Sequence, residues 1–174
     1  MREWIPVSTS AKGRLALAAV RQFGARPFDE VTVGELAAAA KVTTGALYHH
    51  FDSKLGLYAF VREDVEQRLL DRMEGAVAAA GDEADRPAAV ATALLVGFDF
   101  AIREGFLHIL GAPPAGAERD RLAEMLSAST ARAPPVLGRV LAAAWRAALL
   151  AVAEGSEPEQ ARAALLALEF RIPS

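Results

Sequence analysis

The chain has 174 residues, with 19 Lys plus Arg against 22 Asp plus Glu, no cysteine and 53% hydrophobic residues. That length suits one core, or a small head on a larger body, and the absence of cysteine excludes disulfides, zinc–thiolate and iron–sulfur sites. Alanine fills 39 positions; as the best helix former and a poor strand former, it predicts an all-α protein. Residues 1–14 lack the apolar stretch of a signal peptide. The longest charge-free apolar run of helical character, Ala88 to Phe98, is far short of the ~20 residues that span a bilayer. The expectation is a soluble, cytoplasmic protein with no membrane partner.

The net charge of −3 hides an asymmetry: residues 1–54 carry seven basic and five acidic side chains, and the remainder twelve and seventeen. All three lysines, Lys12, Lys41 and Lys54, lie in the first part. A mildly positive head on an acidic body allows contact with nucleic acid only where geometry organises it locally.

In chain order, Ser8, Thr9 and Ser10 offer N-caps for a helix to about Gly24, with Leu15, Ala19 and Phe23 on one face. Gly24, Pro27 and Asp29 break it. Thr32-Val33-Gly34-Glu35 has the spacing of a capping box, predicting a second helix that ends near Lys41. Thr43 or Thr44 caps a third, placing Leu47 and Phe51 on one face, and Asp52-Ser53 caps a long helix from Lys54 towards Ala80. Residues 81–87 read as a polar linker. Further helices are expected at about 88–103, 105–111, 118–132, 134–152 and 158–170, punctuated by Pro113-Pro114, Pro134-Pro135 and Pro158. The expected architecture is a three-helix head (residues 1–53), a connecting helix, and a helical body (54–174).

Two short helices joined by a tight turn have the spacing of a helix-turn-helix. Leu36, Ala37, Ala40, Val42, Leu47 and Phe51 can pack against Leu15, Ala19 and Phe23, leaving Thr44, Gly45, Tyr48 and His49 outward. Short hydroxyl and imidazole groups on such a helix can reach phosphates or base edges in a major groove. Lys54, at a helix N-terminus, adds a charge that attracts phosphate. Arg14 to Leu57, and above all Thr43-Thr44-Gly45-Ala46-Leu47-Tyr48-His49-His50-Phe51-Asp52-Ser53-Lys54, resembles the tetracycline-repressor (TetR/AcrR) family of transcriptional regulators. The resemblance implies that Thr44, Gly45, Tyr48, His49 and Lys54 face DNA, with Thr43 and His50 close by. Two residues depart from the family pattern: Lys41 stands at a turn position where the family usually has glycine, and Leu55 where an acidic residue is usual. Read alone, Tyr48 could equally be a core aromatic, and Gly45 a mere helix weakness. Adjacent His49 and His50 point in different directions, which argues against a metal site.

The resemblance further implies a homodimer on palindromic double-stranded operator DNA, most often a repressor, released by a small-molecule effector held in the body. Phe98, Phe106, His108 and Met125 are the candidate pocket residues, with His108 the first polar anchor and simple core packing the competing role. Apolar faces of the last two helices, carrying Leu137, Val140, Leu141, Ala144, Ala148, Leu165, Leu166 and Leu168, fit either a four-helix dimer interface or intrachain packing, and Trp145 fits both. The chain holds no nucleophile elbow, phosphate loop, dinucleotide fingerprint or His-Glu-x-x-His helix, so no enzymatic activity and no cofactor are expected. The alternative function is a helical ligand-binding or protein-interaction module without DNA binding.

Overall fold

A computed structural model describes residues 9–79, 86–114, 119–130, 133–134 and 136–168. Within them the chain is helical and carries no strand: α1 (Ala11–Ala25), α2 (Val33–Ala39), α3 (Thr44–Phe51), α4 (Lys54–Ala79), α5 (Arg86–Glu104), α6 (Leu107–Gly111), α7 (Arg121–Ser129), α8 (Val136–Ala153) and α9 (Pro158–Leu166). A single 3-10 turn, Phe28–Glu30, fills the break after α1. The all-α expectation holds.

The helix starts are set by local chemistry. The Ser10 hydroxyl accepts from the Gly13 amide at 2.9 Å and opens α1. The capping box forms in full: the Thr32 hydroxyl accepts from the Glu35 amide, and the Glu35 carboxylate from the Thr32 amide at 2.8 Å. Hydrogen bonds from the Thr32 hydroxyl and amide, then from Arg26, hold the Glu35 carboxyl down at about 2. Thr43, rather than Thr44, caps α3, accepting from the Ala46 amide, and the Ser53 hydroxyl accepts from Gly56 to open α4. The expected linker shortens, because α5 begins at Arg86 with Pro87 in its first turn, where a missing amide costs nothing. The predicted ends of the later helices at 118, 131–132 and 169–170 lie outside the described residues.

Leu15, Ala19, Phe23, Leu36, Ala37, Ala40, Leu47 and Phe51 are buried as expected, and Val42 packs partly buried at the edge. One hydrophobic core runs from this head into the body, through Leu57, Val61, Leu69 and Met73 of α4 to Leu94 and Phe98 of α5, Leu126 of α7 and Trp145 of α8. The head is joined to the body by more than α4. A methyl group at Gly24 of α1 would collide with the carbonyl oxygen of Gly105 in the α5–α6 turn, so the two backbones meet there. Phe23, Phe28 and Tyr58 form a triangle of rings, with centroids 5.0 to 5.7 Å apart, at the same junction.

Helix α8 is the one described helix whose length and composition would suffice for a membrane span, and it is longer than the charge-free run Ala88 to Phe98. It is instead packed among α6, α7 and α9, and Arg146 within it is buried on Asp120.

Candidate nucleic-acid interface

The Thr43–Phe51 segment divides its side chains sharply. Leu47 and Phe51 are sealed in the core, while Thr43, Thr44, Gly45 and His49 are exposed and Tyr48 is 52% exposed. The spacing explains it: Leu47 and Phe51 stand four apart on one helical face, and Thr44 and Tyr48 four apart on another. Tyr48 is thus no core aromatic. His50 is half-buried, its ring edge-on to those of His49 (5.0 Å) and Phe51 (6.4 Å). A β-carbon added at Gly45 would meet only the Thr43 hydroxyl, at an ordinary 3.7 Å. Nothing among the described residues demands glycine there, although alanine would favour the helix by about 1 kcal/mol.

The tight turn before α3 turns on Lys41, whose φ of 54° is left-handed. The family's usual glycine adopts that conformation freely, whereas a lysine there costs of order 1 kcal/mol. The turn is braced from α1, where Arg14 Nε donates to the Ala40 carbonyl at 3.0 Å.

Lys54 braces the head. Its ammonium donates to the carbonyl oxygens of Phe28 (3.0 Å) and Val31 (2.9 Å) and lies 4.1 Å from the Phe28 ring centroid. It ties the 3-10 turn to the start of α4; both acceptors are neutral carbonyls, so the ammonium keeps its charge and one of its three donors.

In the body, Phe98, Phe106 and Met125 are buried core residues, Phe106 against Phe100 at 5.6 Å, and His108 is half-buried on α6. Trp145 is wholly buried and its indole N–H donates to the Leu94 carbonyl at 3.0 Å, which makes it an intrachain packing residue. Sequence reading missed a charged cluster among α4, α7 and α8. Arg146, 7% exposed, makes a bidentate pair with Asp120, both contacts 2.7 Å. Burial pushes the Asp120 carboxyl up, but Arg146 and the Ala123 amide outweigh it and hold the value low. Arg62 donates to Tyr58 and to the Ala112 carbonyl (2.7 Å). Glu66 lies within electrostatic reach of Arg62, Arg121 and Arg146, yet burial leaves its carboxyl raised. The missed signal was weak: charges at 62, 66, 120 and 146 look like ordinary solvated positions until the fold brings them together.

Two short helices across a tight turn, the second with an apolar back and a polar exposed front, define a helix-turn-helix protein. Residues 16–60 match the bacterial regulatory proteins of the tetR family. The whole chain shares its fold with the crystal structure of a TetR-family transcriptional regulator from Pectobacterium atrosepticum, at 23% identity and a TM-score of 0.67, over 92% of this chain and 91% of that one. No curated protein matches it. The tetR-family likeness in sequence thus covers residues 16–60, and beyond them the likeness is one of fold.

Proposed function

We propose that the chain is a homodimeric, ligand-responsive repressor that docks α3 in the major groove of a palindromic operator and is released by a small-molecule effector. The observation that carries the DNA half is the exposed ridge of Thr44, Tyr48 and His49 on a helix whose back, Leu47 and Phe51, is locked in the core. Such a ridge is rigid, so its hydroxyl and imidazole groups meet DNA at little entropic cost. Gly45, with no internal reason to be glycine, lets a phosphate backbone approach α3 closely. Thr43 and His50 flank the ridge. The functional division falls after Ser53, although the core is continuous across it: residues 1–53 read DNA and 54–174 sense and dimerise.

Dimerisation is supported by α8 and α9. Val136, Val140, Ala143 and Ala147 follow one another at helical spacing on the exposed side of α8, with Leu166 and Leu168 exposed at the end of α9. An apolar stripe of this kind fits an isologous two-fold contact. Two-fold symmetry would set the α3 helices ~34–36 Å apart, one turn of DNA. The effector would enter the body among α4, α7 and α8, where Arg62, Glu66 and Arg146 offer polar anchors beside apolar walls. It shifts operator affinity only by its differential affinity for the two arrangements, about 1.4 kcal/mol per tenfold. A cytoplasmic location and the absence of catalysis follow from this reading.

The test is an electrophoretic mobility shift with a duplex spanning the DNA upstream of the chain's own gene. Tyr48→Ala is expected to abolish the shift while the helical circular dichroism and melting temperature stay within a degree or two of wild type, since Tyr48 buries little. A shift that survives the substitution removes Tyr48 from the interface.

A further inference from the structure

We propose that the effector is an amphiphilic monocarboxylate whose carboxylate is received by the charged cluster of α4, α7 and α8; this rests on the effector-sensing reading above. Among the described residues, Glu66 of α4 has four charged neighbours within electrostatic reach: Arg62 on its own helix, Asp120 and Arg121 at the start of α7, and Arg146 on α8. Asp120 is fully engaged. Its Oδ1 accepts from Arg146 Nη2 (2.7 Å) and the Ala123 amide (3.0 Å), and its Oδ2 from Arg146 Nη1 (2.7 Å). Arg62 donates to the Tyr58 hydroxyl and the Ala112 carbonyl, and Arg121 to the Gln67 side-chain carbonyl. Those acceptors are neutral, so both guanidiniums keep their charge. Three positive groups thus face two negative ones.

Two unmet groups in the cluster point to a ligand. Arg146 Nε is sealed from solvent with no hydrogen-bond partner, on a side chain only 9% exposed. A buried donor left unpaired costs free energy that an incoming acceptor restores. The second is the Glu66 carboxyl, to which no described residue donates. Burial holds it above the ordinary carboxylate range against the pull of Arg62, Arg121 and Arg146, and Asp120 adds to the rise. On taking up a proton it becomes an O–H donor and leaves the guanidiniums in greater excess. A carboxylate answers both features: it is planar, accepts from several donors at once and carries the opposite charge. An ammonium would face three guanidiniums, and an uncharged head group would leave their excess unbalanced. The same three helices otherwise contribute buried apolar side chains, among them Leu70, Leu122, Leu126, Leu141 and Leu149, so the rest of the ligand is hydrocarbon.

The probes are octanoate, octylammonium and 1-octanol, which share a chain and differ in head group. Binding to the full chain is measured by isothermal titration calorimetry near neutral pH. Octanoate is expected to bind, and the other two to bind about tenfold more weakly or not at all, the scale set by one charge-assisted hydrogen bond. Titration in two buffers of different ionisation heat is expected to show proton uptake with octanoate. Its affinity then falls as pH rises, because protonated Glu66 is the form that favours the anion. Glu66→Gln keeps the shape and breaks no hydrogen bond among the described residues; it is expected to bind octanoate at least as tightly as wild type, without proton uptake. Arg62→Met is expected to bind it about tenfold more weakly. Octylammonium binding that Glu66→Gln abolishes, equal binding of all three probes, or no binding of octanoate overturns the assignment. If octanoate binds as expected but leaves the mobility shift of the upstream duplex unchanged, the carboxylate site stands and the effector reading has failed. If the amine or the alcohol abolishes the shift while octanoate does not, the effector reading stands and the carboxylate assignment has failed.

Discussion

Asp64 shows what a single side chain adds to the energetics. One of its oxygens, Oδ2, is sealed from solvent with no hydrogen-bond partner, and burial lifts its carboxyl to about 6 against the pull of Arg68. A carboxyl raised in the folded state penalises folding when ionised. The penalty is absent at low pH, develops between the unfolded value of ~3.9 and about 6, and is complete above that. Asp64→Asn is therefore expected to stabilise the protein at about pH 7.5 by about 1 kcal/mol, a figure reduced for solvent screening of a partly exposed group. The gain should vanish towards about pH 4. Melting temperatures of both proteins across that range check it; a gain independent of pH would assign the effect to packing.

At the scale of the element, close helix contacts depend on small residues. A β-carbon at Gly138 of α8 would lie 2.5 Å from both the Ala123 carbonyl oxygen and the Ser127 amide nitrogen of α7. Backbone atoms cannot yield as a flexible side chain can, so Gly138→Ala is expected to push α7 and α8 apart and cost about 1–3 kcal/mol. This is the reverse of the gain its helix propensity alone would bring, and a urea titration distinguishes the two signs. The elements themselves were largely legible in the sequence. Ser10, Thr32 with Glu35, and Thr43 each bond an amide three residues ahead, and Leu15, Ala19 and Phe23 mark one face by spacing alone. The start of α5 was misread because Arg86-Pro87 resembles a linker, although proline is tolerated in a first turn. Gly138 could not be understood locally, since the atoms that require it belong to α7.

For the whole molecule, the proposed dimer rests on the exposed apolar stripe of α8 and α9. Val140 is 55% exposed near its centre, and Val140→Glu would place a charge where two copies are proposed to meet. Light scattering after size exclusion is expected to show a monomer with unchanged helical content. Loss of the second head should weaken operator binding by about a hundredfold or more, as bivalency is lost. A variant that stays dimeric moves the interface away from this stripe. The sequence located this surface through Val140, Leu166 and Leu168, but it grouped them with Leu141 and Leu165, which the fold buries.

The amino-acid sequence by itself determined the helices, the helix-turn-helix and its polar ridge, because caps, turns and four-residue spacing act over a few residues and are written where they act. Only the tertiary structure decided the partners of the long charged side chains. Lys54 reaches carbonyls 26 and 23 residues away, Arg146 reaches Asp120 across 26, and Arg62 reaches Ala112 across 50. A flexible cation is free to satisfy either solvent, DNA or the chain itself. Which of these it meets depends on what the fold brings beside it, and this is why Lys54 came to brace the 3-10 turn.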